Sequence, residues 1–229
     1  MKINRLHGFD ISYTEARGIQ QRLSKTIKIE GGPALDKVKT VAGCDCAFDK
    51  RGKRVLGALV LMSFPELEVI GKNTAQAPLR FPYVPGYLSF RELEVLLMLF
   101  ERLTEIPDVV LVDGQGIAHP RGIGLASHLG IFIGIPTVGC AKSRLVGDCT
   151  MPGIGKNLWE PIKFKNRTIG SILRTKHNVK PMYISPGHLV GIDRARELVI
   201  ACTTRYRLPE PTRLADIEVA KYKKEVVHV

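Results

Sequence analysis

Val109-Val110-Leu111-Val112-Asp113-Gly114-Gln115-Gly116 is the run on which the fold turns, followed by Ile117-Ala118-His119-Pro120-Arg121-Gly122-Ile123-Gly124-Leu125-Ala126-Ser127-His128-Leu129-Gly130 and Thr137-Val138-Gly139-Cys140-Ala141. Four apolar residues rich in β-branched side chains make a short buried strand, and Asp-Gly ends it. Glycines 114, 116, 122 and 124 allow tight turning and close backbone approach before a helix over Ile123–Phe132. A second apolar strand spans Thr137–Ala141. Strand, helix, strand at this spacing requires a parallel, right-handed crossover.

Upstream, Thr40–Phe48, a turn at Asp49-Lys50-Arg51-Gly52, Val55–Phe64 and Glu68–Thr74 read as an antiparallel three-strand meander. Residues 10–27 place Ala16, Ile19, Leu23 and Ile27 on one side of a helix, with polar residues between them. Ser89–Glu105 is a helix with Phe90, Leu93, Leu96, Leu97 and Phe100 facing inward. Downstream, a hairpin (Thr168–Thr175, Met182–Ser185), a helix around Arg194–Thr204 and a short C-terminal helix from Leu214 are expected. Meander followed by βαβ gives an α/β class: a mixed sheet flanked by helices, in the order of a ribonuclease-H-like core. There is no internal repeat or low-complexity linker, so residues 1–229 are expected to form a single domain.

The 229 residues hold 34 Lys+Arg against 22 Asp+Glu, a net charge of +12, and the pI is near 9.6. That surplus points to a polyanion, because lysine and arginine gain affinity by displacing phosphate counterions. At 45% hydrophobic and 24% charged the chain is neither disordered nor fibrous. Its longest apolar stretch, Leu56–Phe64, is far below the roughly 18–20 residues of a membrane span. The start has no apolar core of a secretory signal. Five cysteines without a C-x-x-C pair read as thiols of a reducing cytosol or nucleus rather than zinc ligands. A cytoplasmic protein without membrane or organic-cofactor partners is expected. Gly114-Gln115-Gly116-Ile117-Ala118-His119 is not G-x-G-x-x-G, and Gly153-Ile154-Gly155-Lys156-Asn157 lacks the spacing and following Ser/Thr of a phosphate loop.

Asp45 lies mid-strand in Val41-Ala42-Gly43-Cys44-Asp45-Cys46-Ala47, where a carboxylate is costly unless paired with a metal or an arginine. Asp113 closes its strand at the carboxyl edge, where ligands of open α/β sheets collect, although Asp-Gly is also a common turn. Packing of the parallel unit beside the first meander strand would bring the two acids together, and a divalent cation would relieve their repulsion. Ser89-Phe90-Arg91-Glu92 has the S-x-x-E pattern of a capping box, so the pattern alone makes Glu92 a cap. His119 and Arg121 are donors beside a helix start that could hold an anion, whereas His128 reads as structural. Lys142, at the end of the second parallel strand, could stabilise charge on a phosphate or orient a water, or simply be solvated. Lys163, Lys165, Arg167, Arg174, Lys176 and Lys180, with no acid among residues 161–180, form either a solvated face or a phosphate-tracking strip. Phe81-Pro82-Tyr83-Val84-Pro85-Gly86 puts a tyrosine on a proline-stiffened tip, suited to wedging between bases or to packing under a loop.

Taken together, Val41–Ala47, Pro82–Glu92 (PYxPGxLxFRE), Asp113–Gly130 (DGxGxxHPRxxGLAxHxG), Thr137–Leu145, Ser185-Pro186-Gly187-His188 and Leu208–Asp216 cover nearly the whole chain in order. The chain resembles the endonuclease V family of deaminated-base repair nucleases. That resemblance implies a ribonuclease-H-like fold, Mg²⁺ (with Mn²⁺ able to substitute), and cleavage on the 3′ side of a hypoxanthine-type base, one linkage beyond it. It makes Asp45, Glu92 and Asp113 the metal carboxylates, displacing the cap reading of Glu92, and it adds Asp216 as an assisting position. Lys142 and His119 would support the scissile phosphate or the attacking water. Pro82, Tyr83, Val84 and Pro85 would be a strand-separating wedge. Gly114, Gln115, Gly116, Arg121, Gly124, Ser143, Ser185, Gly187 and His188 would line the lesion pocket or bind nucleic acid. DNA with deaminated bases is the implied partner, RNA is open, and a monomer is expected. Another ribonuclease-H-like nuclease, such as a junction resolvase or excision nuclease, and a non-catalytic nucleic-acid-binding module stand as alternatives.

Overall fold

A computed structural model describes residue 1 and residues 3–227; the single-domain expectation for residues 1–229 extends to Lys2, His228 and Val229, which lie outside the described residues. Strands β1 (Thr40–Asp49), β2 (Arg54–Ser63) and β3 (Val69–Pro78) form the antiparallel meander. β4 (Val109–Val112) pairs in parallel with β1, and β5 (Thr137–Ala141) with β4. β6 (Leu158–Phe164), β7 (Arg167–Arg174) and β8 (Met182–His188) extend the same sheet in antiparallel fashion, giving the order β3-β2-β1-β4-β5-β8-β7-β6. The hairpin expected from β7 and β8 is present. β6, which the sequence reading did not assign, is an edge strand. Its Pro161 is tolerated there because an edge residue needs no ladder N–H on its open side.

Helices α1 (Tyr13–Leu23), α2 (Ser89–Glu101) and α3 (Leu125–Ile133) cover one face. α4 (Ile192–Ala201) and α5 (Glu210–Val227) cover the other. The alternation of β1 divides its side chains between the two cores: Ala42 and Cys44 face α2, and Val41 faces α4 and α5. α5 is 18 residues long, not the short helix expected from Leu214. It starts ahead of Pro211, which the first turn accepts because the N–H that proline lacks would be unpaired there. An added Cβ at Gly43 would overlap the Pro211 carbonyl, so glycine at this position lets the start of α5 lie directly on β1.

Capping also differs from the pattern. Ser89 is inside α2, the helix has no side-chain cap, and the Ser89 hydroxyl bonds His128 Nδ1 at 2.9 Å. The capping box in this chain is Ser12/Glu15 at the start of α1. All five cysteines are free thiols. Among the described residues no helix is long and apolar enough to cross a membrane.

Candidate active site

Parallel pairing of β1 with β4 sets Cys44 opposite Val112, and the Asp113 N–H donates to the Cys44 carbonyl at 3.3 Å. Asp45 and Asp113 therefore follow matched positions on adjacent strands, the juxtaposition that the sequence made conditional on topology. Burial raises the pKa of Asp45 to about 8, with repulsion from Asp113 and a hydrogen bond with Asp216 adding to it. Burial raises Asp113 as well, although Lys142 opposes the shift. Glu92 comes from α2 on the opposite face. Burial holds it well above the carboxylate range, the charges of Asp45 and Asp113 push it further, and no hydrogen bond offsets this.

The ammonium of Lys142 pairs with Asp113 and lies 3.7 Å from Asp216 of α5. Burial disfavours its charge, but the Asp113 carboxylate outweighs that and keeps Lys142 above the usual lysine value. Arg207 donates to the Lys142 carbonyl at 3.3 Å and to that of Pro181 at 2.9 Å, fixing the end of β5 from the opposite segment. Sequence reasoning had no signal for Arg207, which is one basic residue among many.

Among the described residues no group of three His, Cys, Asp or Glu side chains is gathered closely enough to hold a metal ion in the present arrangement. The chemistry of the donor set nonetheless fits a hard divalent cation. It consists of carboxylate oxygens that are desolvated and mutually repelling, with their pKa values raised despite the opposing charges of Lys142, Arg207 and Arg91.

Beside these acids opens a cleft of about 350 Å³, lined by Tyr83–Gly86, Asp113–Gln115, His119, Ile123–Leu125 and Ala141–Leu145. Tyr83 is 74% exposed, so it is not packed beneath its loop. The Arg91 guanidinium lies 5.6 Å from its ring and 4.6 Å from that of Phe48, and it donates to the Phe81 carbonyl at 3.1 Å.

The endonuclease V family model matches residues 20–217. The chain belongs to the endonuclease V family. An endonuclease V from a Nostoc species is 43% identical over 216 residues, 94% of this chain and 97% of that protein. The crystal structure of endonuclease V from Bacillus subtilis superposes with a TM-score of 0.93 at 31% identity, covering 98% of both chains. Endonuclease V from Ciona intestinalis, solved with a 24mer DNA containing an inosine followed by a ribo-adenosine, gives a TM-score of 0.81 at 28% identity over 93% of this chain and 98% of that one. The sheet is thus the ribonuclease-H-like sheet expected of an endonuclease V.

Within this family member the remaining sequence candidates separate by what their polar atoms do. Gln115 donates to the Ser143 carbonyl at 2.8 Å, tying the two glycine-loop and β5 walls of the cleft together. Gly116 is needed for close approach, since a Cβ there would overlap the Pro186 carbonyl, and its N–H donates to the buried Ser185 hydroxyl at 2.8 Å. Ser185 is therefore a buttress behind the loop. At the start of α3, Gly124 N donates to Gly116 O at 2.8 Å and Ala126 N to Gln115 O at 2.9 Å, so two of the N–H groups there are taken by loop carbonyls. Gly187 and His188 are not brought to the cleft. Antiparallel pairing sets His188 opposite Thr137, at the far end of β5 from Lys142, and its Nδ1 accepts from Lys28 N at 3.2 Å.

His119 reaches the cleft but commits both ring nitrogens to main chain. Nδ1 accepts from Arg121 N at 3.2 Å, which leaves the proton on Nε2 to donate to the Gly86 carbonyl at 2.9 Å. Burial lowers its pKa to about 4, so the ring is neutral at physiological pH. Arg121 commits Nε to Gln20 and Nη2 to the Gly86 carbonyl, so part of its guanidinium is engaged inside the protein. Gln20 was missed because a polar residue between Ile19 and Leu23 reads as solvent-facing, yet it is fully buried. The basic strip also divides. Arg174 donates to the carbonyls of Gly153 and Pro152 at 2.6 and 3.0 Å, and Lys176 to that of Arg205. Lys163, Lys165 and Arg167 remain exposed around the β6–β7 turn, and Lys180 is exposed before β8.

Proposed function

We propose that this protein recognises a hypoxanthine-type base in nucleic acid and hydrolyses a phosphodiester on its 3′ side, one linkage beyond it, with Mg²⁺ or Mn²⁺. The observation that carries the reading is three desolvated, mutually repelling carboxylates, Asp45, Glu92 and Asp113, the last of which lines a cleft rimmed by an exposed tyrosine. Asp45, Glu92 and Asp113 would hold the cation, with Asp216 assisting from α5. When bound, the cation supplies charge neutralisation at the phosphate and a water of lowered pKa.

The protein's own residues do the rest. Lys142 keeps a positive charge against Asp113 and Asp216 and would hold a phosphate oxygen or the attacking water in line. Tyr83, stiffened by Pro82 and Pro85, would fill the gap left when the lesion base leaves the stack, a step costing a few kcal/mol and least for a mispaired base. Gly114, Gln115 and Gly116 would present backbone groups to the extruded base's edge. The DNA-bound Ciona relative supports DNA as the substrate class.

The test is cleavage of inosine-bearing single-stranded DNA, duplex DNA and RNA, each beside its inosine-free counterpart, with and without Mg²⁺. Cutting that needs both inosine and Mg²⁺ is expected. Equal cutting of ordinary strands would favour a different ribonuclease-H-like nuclease, and binding without cutting would favour a non-catalytic module.

A further inference from the structure

The Gly86 carbonyl, at the base of the Pro82–Pro85 loop, collects three donors: Arg121 Nη2 at 2.7 Å, Gln20 Nε2 at 2.9 Å and His119 Nε2 at 2.9 Å. A carbonyl oxygen has two lone pairs, so this peptide is held by one donor more than its usual complement. The donors come from separate parts of the chain, α1 and the loop that runs from Asp113 to α3. Gly86 itself has φ +80°, a backbone state that resists any side chain.

Gln20 is the member without another explanation. A fully buried amide is costly unless bonded, and both of its ends are committed, one to Gly86 and one to Arg121 Nε. Arg121 in turn lies 4.3 Å over the ring of Tyr87, which also packs with Tyr13 at 4.6 Å and Phe81 at 6.0 Å. The two ends of the tyrosine loop are thus tied to the segment that forms the cleft floor, through a residue that touches neither the cleft nor the carboxylates.

We propose that Gln20 is a positioning residue for strand separation, clamping the Gly86 carbonyl so that Tyr83 stands at a fixed height over the cleft and lesions inside a duplex are opened as readily as single strands. The inference rests on the nuclease reading above. Gln20→Glu isolates the clamp, because the carboxylate keeps a partner for Arg121 Nε but cannot donate to Gly86. Turnover of an inosine oligonucleotide by the full chain with Mg²⁺ would be compared as single strand and as duplex. A fall of about tenfold in kcat/KM on the duplex, the scale of one buried hydrogen bond, is expected with the single strand unchanged. Equal losses on both substrates, or no loss on either, would overturn the clamp. Should the glutamate variant melt below the assay temperature, Gln20→Met, of similar volume and without either bond, carries the same comparison. A wild-type protein that cuts neither substrate would bring down the nuclease reading and the clamp with it, whereas an active wild type with an unselective variant would remove the clamp alone.

Discussion

Asp45, Glu92 and Asp113 are held out of water with one lysine among them, and their protonation should be visible in stability. Their folded-state pKa values are raised by burial, so the native state binds more protons than the unfolded chain across that interval. Stability of the metal-free protein is then complete below the ordinary carboxylate range and is lost as pH climbs toward the value near 8 of Asp45. Melting temperature measured in chelator from pH 5 to 8.5, apart from any general alkaline loss, should slope downward, and Asp45→Asn should flatten the slope; a wild-type profile without that slope would contradict the desolvated pair. Glu92 lacks a compensating bond, so Glu92→Gln should abolish Mg²⁺-dependent cleavage while leaving the melting temperature at pH 8 equal or higher. A substantial fall in melting temperature would instead mark Glu92 as a structural group, as its capping-box pattern first suggested.

Elements bring these residues together, and their junctions are where substitution acts at a distance. At Gly43 the start of α5 lies so close to β1 that Gly43→Ala must push the helix outward, taking Asp216 with it. Overpacking of this kind typically costs about 1–3 kcal/mol, so denaturant unfolding should show a loss of that order together with reduced cleavage. Ser12→Ala provides the contrast. It removes the capping box of α1, away from the carboxylates, and should cost about 1 kcal/mol of stability with cleavage intact. If the two variants lost activity equally for equal destabilisation, α5 would have no special tie to the site. The sequence located most elements because apolar periodicity survives in a single chain: β1, β2, β4, β5 and α2 fall within a few residues of their expected bounds. It left β6 unassigned, where Pro161 marks an edge only once the sheet order is known, and it shortened α5, whose first turn takes in Pro211.

Across the whole molecule the charge of +12 governs encounter rather than chemistry. Four phosphate contacts already give roughly a hundredfold loss of affinity between 50 and 200 mM salt, so binding of a DNA oligonucleotide should weaken at least that far, with or without inosine. Replacing Lys163, Lys165 and Arg167 by Gln should shallow the salt slope by about one for each residue that meets a phosphate, and an unchanged slope would make that turn a merely solvated face. The sequence by itself determined the fold class, the meander followed by a parallel crossover, the acids within a strand, at a strand's end and in a helix's first turn, and the proline-framed tyrosine. Each of these is written locally, in periodicity, in turn chemistry or in a motif of adjacent residues. Tertiary structure decided which polar groups are free. It turned Ser89 toward His128, bonded two N–H groups at the start of α3 to loop carbonyls, set His188 at the end of β5 far from Lys142, and drew donors of His119, Arg121 and Gln20 onto the carbonyl of Gly86. Hydrogen bonds between residues far apart in sequence leave no period and no spacing, because a donor's partner is fixed by how the layers pack and not by the residues beside it.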